Sequence, residues 1–215
     1  DEISRLLDPK VFTNTKRIDK KGGHKFDEFK TDENGDIKDN LVIKGNNLLA
    51  LYSLKKRFAG KVKLIYIDPP YNPDSKSNTF IYNNNFNESS WLTFMKNRLE
   101  VAKSLLTDDG VLIVAIDENE FLQLGVLLKE IFKNYESHCI TIVHNPRGVQ
   151  GTNFSYTHEY AFFVIPKGKK SIGNRKIDDT EIGWSNFRNW GGESLRTDAK
   201  NCFYPVIIEN NKVIG

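Results

Sequence analysis

Apolar residues are sparse over the first forty positions and then recur in short runs. Residues 1–40 are polar and charged, and Thr31-Asp32-Glu33-Asn34-Gly35-Asp36 reads as a turn with Asn34-Gly35 at its tip. This stretch is expected to be an N-terminal extension. Leu41-Val42-Ile43 predicts a short strand. Leu48, Leu51, Tyr52 and Leu54 then recur at helical spacing behind Asn46 or Asn47, either of which can cap a helix. Val62 to Ile67 predicts a buried strand. Asn72 to Ser90 is rich in Asn, Ser and Asp and reads as a long loop, with Ser89 or Ser90 as the cap of a second helix. That helix carries Trp91, Leu92, Phe94, Met95, Leu99, Ala102, Leu105 and Leu106 and is expected to end at Asp108-Asp109-Gly110. Val111 to Ile116 predicts another strand, and Glu118 to Phe132 a third helix. Ile140 to Val143 and Tyr160 to Ile165 flank residues 144–159 and suggest an antiparallel hairpin. Alternation of strand and helix followed by a hairpin indicates an α/β sheet with helices on its faces.

The junction after Val62–Ile67 carries the chemistry. Asp68-Pro69-Pro70-Tyr71 follows the apolar run directly, and two prolines stop a strand because neither donates to a sheet ladder. An acid, a rigid backbone and an aromatic ring are thereby presented at the carboxyl end of a strand, the edge where open α/β sheets bind ligands. The group suits a flat substrate with an exocyclic amine. Asp68 and the Pro69 carbonyl can each accept an amine hydrogen, and Tyr71 can stack on the ring. An adenine swung out of a duplex has that shape.

These residues resemble the D/N/S-P-P-Y/F/W motif of the DNA amino-methyltransferases, and the Asp form resembles their adenine-N6 branch. Leu41 to Leu51, Trp91 to Leu99, Gly110 to Glu118 and Thr157 to Ala161 are similar to segments of the modification (Mod) subunits of type III restriction–modification systems. The resemblance implies a Rossmann-like, S-adenosylmethionine (SAM)-dependent methyltransferase sheet that flips adenine and methylates N6. It makes Asp68, Pro69, Pro70 and Tyr71 catalytic. Asp68, Asn46 and Asp117 are expected at the cofactor, although Asn46 is equally a plain helix cap and Asp117 a helix N-terminal charge. Asn72, Arg147, His158, Arg188 and Arg196 are expected at DNA. A turn role for Asn72, a solvent-exposed loop role for Arg147 and a hairpin polar pair for His158 with Glu159 are the plainer alternatives. The implied partners are double-stranded DNA, a second copy in a homodimer, and a restriction (Res) helicase–nuclease subunit.

Enzymes of this beta order place the target-base motif first and a Gly-rich F-x-G-x-G motif last. No such motif occurs in the 215 residues. The order therefore implies a front portion with an incomplete sheet: an extension over 1–40, a catalytic core over 41–167, and over 168–215 a linker leading into target recognition. A solitary methyltransferase, or a DNA-binding or structural piece without catalysis, are the competing readings.

Composition adds little. With 39% hydrophobic and 12% aromatic residues a proper core can form, and the formal charge is only +3. Basic clusters at Lys16–Lys25, Lys55–Lys63 and Lys167–Lys176 support a nucleic-acid reading without carrying it. Cys139 and Cys202 make no disulfide framework, no apolar leader or span is visible, and a cytoplasmic protein is expected. The four histidines and two cysteines are not spaced as metal ligands.

Overall fold

A computed structural model describes residues 2–8, 10–72, 86–175 and 206–214. The chain divides into two compact units, Asp1–Ile172 and Gly173–Gly215. The first unit is built on a four-stranded mixed sheet of order β3-β4-β8-β5. Strand β3 (Val62–Ile67) runs parallel to β4 (Leu106–Ile116), with Ile67 beside Val114. Strand β8 (His158–Pro166) lies antiparallel between β4 and β5 (Tyr135–Val143). The expected antiparallel pair is thus present, longer than its apolar runs implied.

One face of this sheet carries the core. Ile65 and Ile67 of β3, Leu112, Val114 and Ile116 of β4, and Phe162 and Val164 of β8 pack with residues of helices α3 (Glu88–Leu105) and α4 (Phe121–Ile131). Helix α3 buries Trp91, Met95 and Leu99, spaced four apart, and each is at most 1% exposed. Helix α4 buries Leu124, Leu127, Leu128 and Ile131. Each such side chain contributes about 1.5–3 kcal/mol when removed from water. Helix α2 (Asn47–Phe58) joins this layer through Arg98, which bonds Asn47 Oδ1 and lies over the Phe94 ring.

Several boundaries differ from the periodicity. Leu41–Ile43 forms no strand, and Val42 is almost wholly exposed, so three apolar residues did not find a neighbouring strand. Asn46 does cap α2, its Oδ1 accepting from the Leu48 N–H at 3.0 Å. The cap of α3 is Asn87 rather than Ser89 or Ser90, accepting from the Ser90 N–H at 2.8 Å. That helix stops at Leu105, and Asp108-Asp109-Gly110 is an irregularity within β4, between the pairs Val62–Leu106 and Leu64–Val111. Gly110 permits the tight return, because a Cβ there would sit 3.0 Å from the Thr107 backbone. Helix α4 begins at Phe121, since Asp117 to Asn119 form a side-chain-bonded turn before it.

The first forty residues are not bare coil. They hold α1 (Glu2–Leu7) and an antiparallel hairpin of β1 (Lys16–Asp19) and β2 (Gly22–Lys25). Arg17 bonds Asp39 at 2.8 Å, and Lys61 pairs with Asp36, tying the segment to the residues before β3. The Asn34-Gly35 tip forms as expected, with the Gly35 N–H donating to the Asp32 carbonyl at 3.0 Å. A two-residue turn with Asn210 and Asn211 both at positive φ joins β9 (Ile208–Glu209) to β10 (Lys212–Val213) in the second unit.

Candidate functional site

Topology gathers the candidate residues at one edge of the sheet. The carboxyl ends of β3 and β4 lie there, and so does the start of β8, because that strand is antiparallel. Asp68-Pro69-Pro70-Tyr71 leaves β3 at this edge, Asp117 follows β4, and His158 and Glu159 open β8.

Three anchors hold the tetrapeptide. Pro69 is buried while Asp68 stays exposed, so the acid faces outward from a fixed backbone. The fully buried Trp91 donates its indole N–H to the Pro70 carbonyl at 2.8 Å. The Tyr71 hydroxyl donates to Glu159 Oε2 at 3.0 Å across the sheet edge. Burial raises the Tyr71 pKa well above the phenol range; the bond to Glu159 and the charges of Asp68 and Glu159 raise it further. The phenol therefore remains a protonated donor, and its ring is held in one orientation.

Asp117 shares this acidic neighbourhood. Its carboxylate accepts the Asn119 N–H at 3.0 Å and the Asn119 amide at 2.7 Å. Burial nevertheless raises its pKa; the Asn119 bonds oppose this, and the charges of Glu118 and Glu159 add to it. Asp68 and Glu159 thus flank Tyr71 with negative charge, and Asp117 lies within electrostatic reach of Glu159.

Asn72 lies at the same place, with φ +56°, the left-handed region that Asn tolerates. Its amide donates to Glu120, and its Oδ1 accepts the Phe86 N–H. Glu120 is only 4% exposed and stands at the start of α4. The Asn72 side chain is therefore held by contacts within the protein.

The remaining expected residues are more dispersed. Asn46 is exposed, and its Oδ1 accepts from the Leu48 and Leu49 N–H groups of its own helix. His158 is half-buried, with Nε2 3.2 Å from the Tyr160 hydroxyl and Nδ1 3.0 Å from Thr157 Oγ1. Arg147 is exposed on the loop after β5. Arg188 and Arg196 lie outside the described residues. Trp91 entered the sequence reading only as a core residue, and Glu159 only as half of a dipeptide. The signal for Glu159 was an acid opening a strand at the ligand edge, but its pairing with Tyr71 spans 88 positions and needs the fold.

A parallel strand thus ends in a proline-locked acid and aromatic at the edge where open α/β sheets bind ligands. Residues 62–203 match the N6/N4 DNA methylase family, and the chain belongs to it. Among its relatives is a protein described as a probable type III restriction-modification enzyme Mod subunit, HindVI, of Haemophilus influenzae. The two are 49% identical over 154 residues, covering 71% of this chain and 20% of the relative. The type III restriction-modification enzyme EcoPI Mod subunit of Escherichia phage P1 is 32% identical, over 81% of this chain and 34% of its own. The chain thus spans about a fifth to a third of the length of these relatives. The crystal structure of the M1.HpyAVI–SAM complex aligns with a TM-score of 0.39 at 17% identity, over 60% of this chain and 57% of that one. Among the described residues no helix is long and apolar enough to cross a membrane.

Proposed function

We propose that this chain carries the target-base site of a SAM-dependent DNA adenine-N6 methyltransferase, the modification subunit of a type III restriction–modification system. The observation that carries this reading is Asp68-Pro69-Pro70-Tyr71 held at the sheet edge by Trp91 and Glu159.

The adenine N6 lone pair is delocalised into the ring and is a poor nucleophile. Asp68 and the Pro69 carbonyl accept the two amine hydrogens, which favours a pyramidal nitrogen with a freer lone pair. Tyr71 stacks on the base, an interaction worth roughly 1–3 kcal/mol in single-strand binders. Because Glu159 fixes the phenol, little ring freedom is lost when the base arrives. Positioning and electrostatics supply the gain, and no covalent intermediate is needed.

SAM supplies an electrophilic methyl group on a sulfonium cation. The residues present fit its cationic end: Asp68, Glu159 and Asp117 put negative charge where a positive sulfur is welcome. Asp68 and Asp117 are the residues assigned to hold it, with Asn46 as a more distant polar contact. Among the described residues no glycine turn joins a strand directly to a helix.

Similarity to the two Mod subunits supports the wider reading. The intact protein methylates adenine on one strand of a short asymmetric duplex site, acts as a dimer, and assembles with an ATP-dependent restriction subunit. Incubating the intact protein with radiolabelled SAM and mixed duplex DNA, followed by nucleoside analysis, tests the chemistry. Label in N6-methyladenine is expected, and Asp68→Ala removes it while DNA binding persists. Label in N4-methylcytosine, or none, overturns the assignment. Purification from native cells tests the partner: recovery without a helicase–nuclease refutes that part alone.

A further inference from the structure

Between β5 and β8 the chain rises into a second, smaller hairpin. Strands β6 (Val149–Gln150) and β7 (Ser155–Tyr156) pair antiparallel, Val149 beside Tyr156. Its base is closed where the His144 and Asn145 N–H groups both reach the Thr157 carbonyl, at 3.3 and 3.2 Å. Its tip is closed by the Gly151 N–H donating to the Phe154 carbonyl at 3.1 Å. Two glycines make this tightness possible. Gly148 has φ +73°, and a Cβ on Gly151 would lie 2.5 Å from the Phe154 oxygen. The hairpin is therefore a built element.

What it displays does not serve the core. Phe154 is 82% exposed at the tip, Val149 62% and Tyr156 52%. Such a cluster on a pinned element marks a binding surface more than a scattered exposed apolar residue does. The hairpin's own sequence carries no negative charge. Residues 137–158 contain no Asp or Glu, against 28 in the whole chain, while His138, His144, Arg147 and His158 lie within them. The base of the hairpin also adjoins the site: His144 Nε2 is 3.8 Å from Glu159 Oε1, and Glu159 holds Tyr71.

We propose that the β6–β7 hairpin is a wedge for duplex DNA. Phe154 inserts beside the target base and fills the gap that the base leaves, while Arg147 takes a neighbouring phosphate. The inference rests on the adenine-methyltransferase reading and adds to it the device that opens the duplex. Extruding a base leaves a hole in the stack, and an apolar side chain that fills it offsets part of the unstacking cost. The hairpin itself carries no acid to repel phosphates, and Arg147 is its one Arg or Lys, a composition that a protein partner would not require.

The test uses the intact protein and its own recognition duplex, identified from the adenines it methylates, with 2-aminopurine at the target position. Wild type is expected to raise the fluorescence on binding. Phe154→Ala is expected to lose most of that rise and to bind roughly tenfold more weakly, within the range that aromatic–base stacking supplies. Phe154→Trp should retain both. A mismatch at the target pair removes most of the opening cost, so Phe154→Ala should recover to near wild type on mismatched duplex. An equal deficit on matched and mismatched duplexes, or a wild-type fluorescence rise in Phe154→Ala, overturns the wedge. So does a change of sedimentation coefficient in Phe154→Ala without DNA, which would assign the hairpin to a second copy. If wild type itself methylates no adenine, the functional reading fails first and distinguishably.

Discussion

Trp91 offers a way to separate stability from positioning. Replacing it by Phe keeps a six-membered ring in the same slot of α3 but deletes the indole N–H. The Pro70 carbonyl, on a half-buried residue, then loses its 2.8 Å donor and faces the slot of a side chain that is 0% exposed. An unsatisfied buried carbonyl costs about 1–3 kcal/mol, and the volume lost from the indole adds about 1 kcal/mol. The total, about 2–4 kcal/mol, overlaps the 2–5 kcal/mol or so expected for Leu99→Ala, two turns along the same buried face. The two variants should therefore unfold in urea at similarly lowered midpoints. Their activities should differ. Leu99→Ala removes packing and leaves the tetrapeptide anchored, so kcat per folded molecule should stay within about twofold. Trp91→Phe frees the backbone that carries the Pro69 carbonyl, and a misplacement near 1 Å can cost about a hundredfold. Single-turnover methylation by the intact protein, normalised to the folded fraction, makes the comparison. Equal normalised rates in the two variants would refute the view that Trp91 positions the motif.

Three further outcomes follow from contacts already described. Tyr71→Ala should lose much more activity than Tyr71→Phe, since Phe keeps the stacking face. Phe should still fall below wild type because Glu159 no longer orients the ring; equal steady-state rates for Ala and wild type would exclude stacking. Gly110→Ala should lower the urea midpoint by an amount equivalent to about 1–3 kcal/mol, its Cβ meeting the Thr107 backbone at 3.0 Å, and an unchanged midpoint would contradict the tight return in β4. Asp117 holds its proton more tightly in the folded state, so its contribution to stability is greatest below about pH 4 and declines as pH rises through its raised pKa. The stability of wild type minus that of Asp117→Asn should fall over that interval and then level off, as urea titrations at several pH values would show; a difference that grows with pH would reverse the sign.

The sequence was most readable where local rules and tertiary neighbours agree. Val62 to Ile67 is a strand of just those residues because Pro69 and Pro70 forbid any extension, but it is not the buried strand expected: it ends the four-stranded sheet, and Leu64 and Tyr66 are exposed. Asn46 caps α2 because a single Asn oxygen satisfies two free N–H groups without help from elsewhere. Leu41–Ile43 misled for the opposite reason, since a strand is defined by its neighbour and these residues have none among the described ones. Asp108-Asp109-Gly110 looked like a terminator and is an interruption, because β3 continues to pair on both sides of it. At the site, Asp68 and Tyr71 announced themselves as a contiguous motif. Glu159 and Trp91 did not, since one is a strand acid and the other a helix aromatic until the sheet edge brings them to Tyr71 and Pro70.

Asn72 joins two points of the chain separated by 14 positions, bonding the Phe86 N–H while its amide is fixed on Glu120. The geometry of the tetrapeptide is thereby insulated from whatever length of chain lies between these two residues. Insertions and deletions there can accumulate over evolution without moving Asp68 or Tyr71. A lineage can thus remodel this stretch toward new neighbours while the reacting groups stay in register.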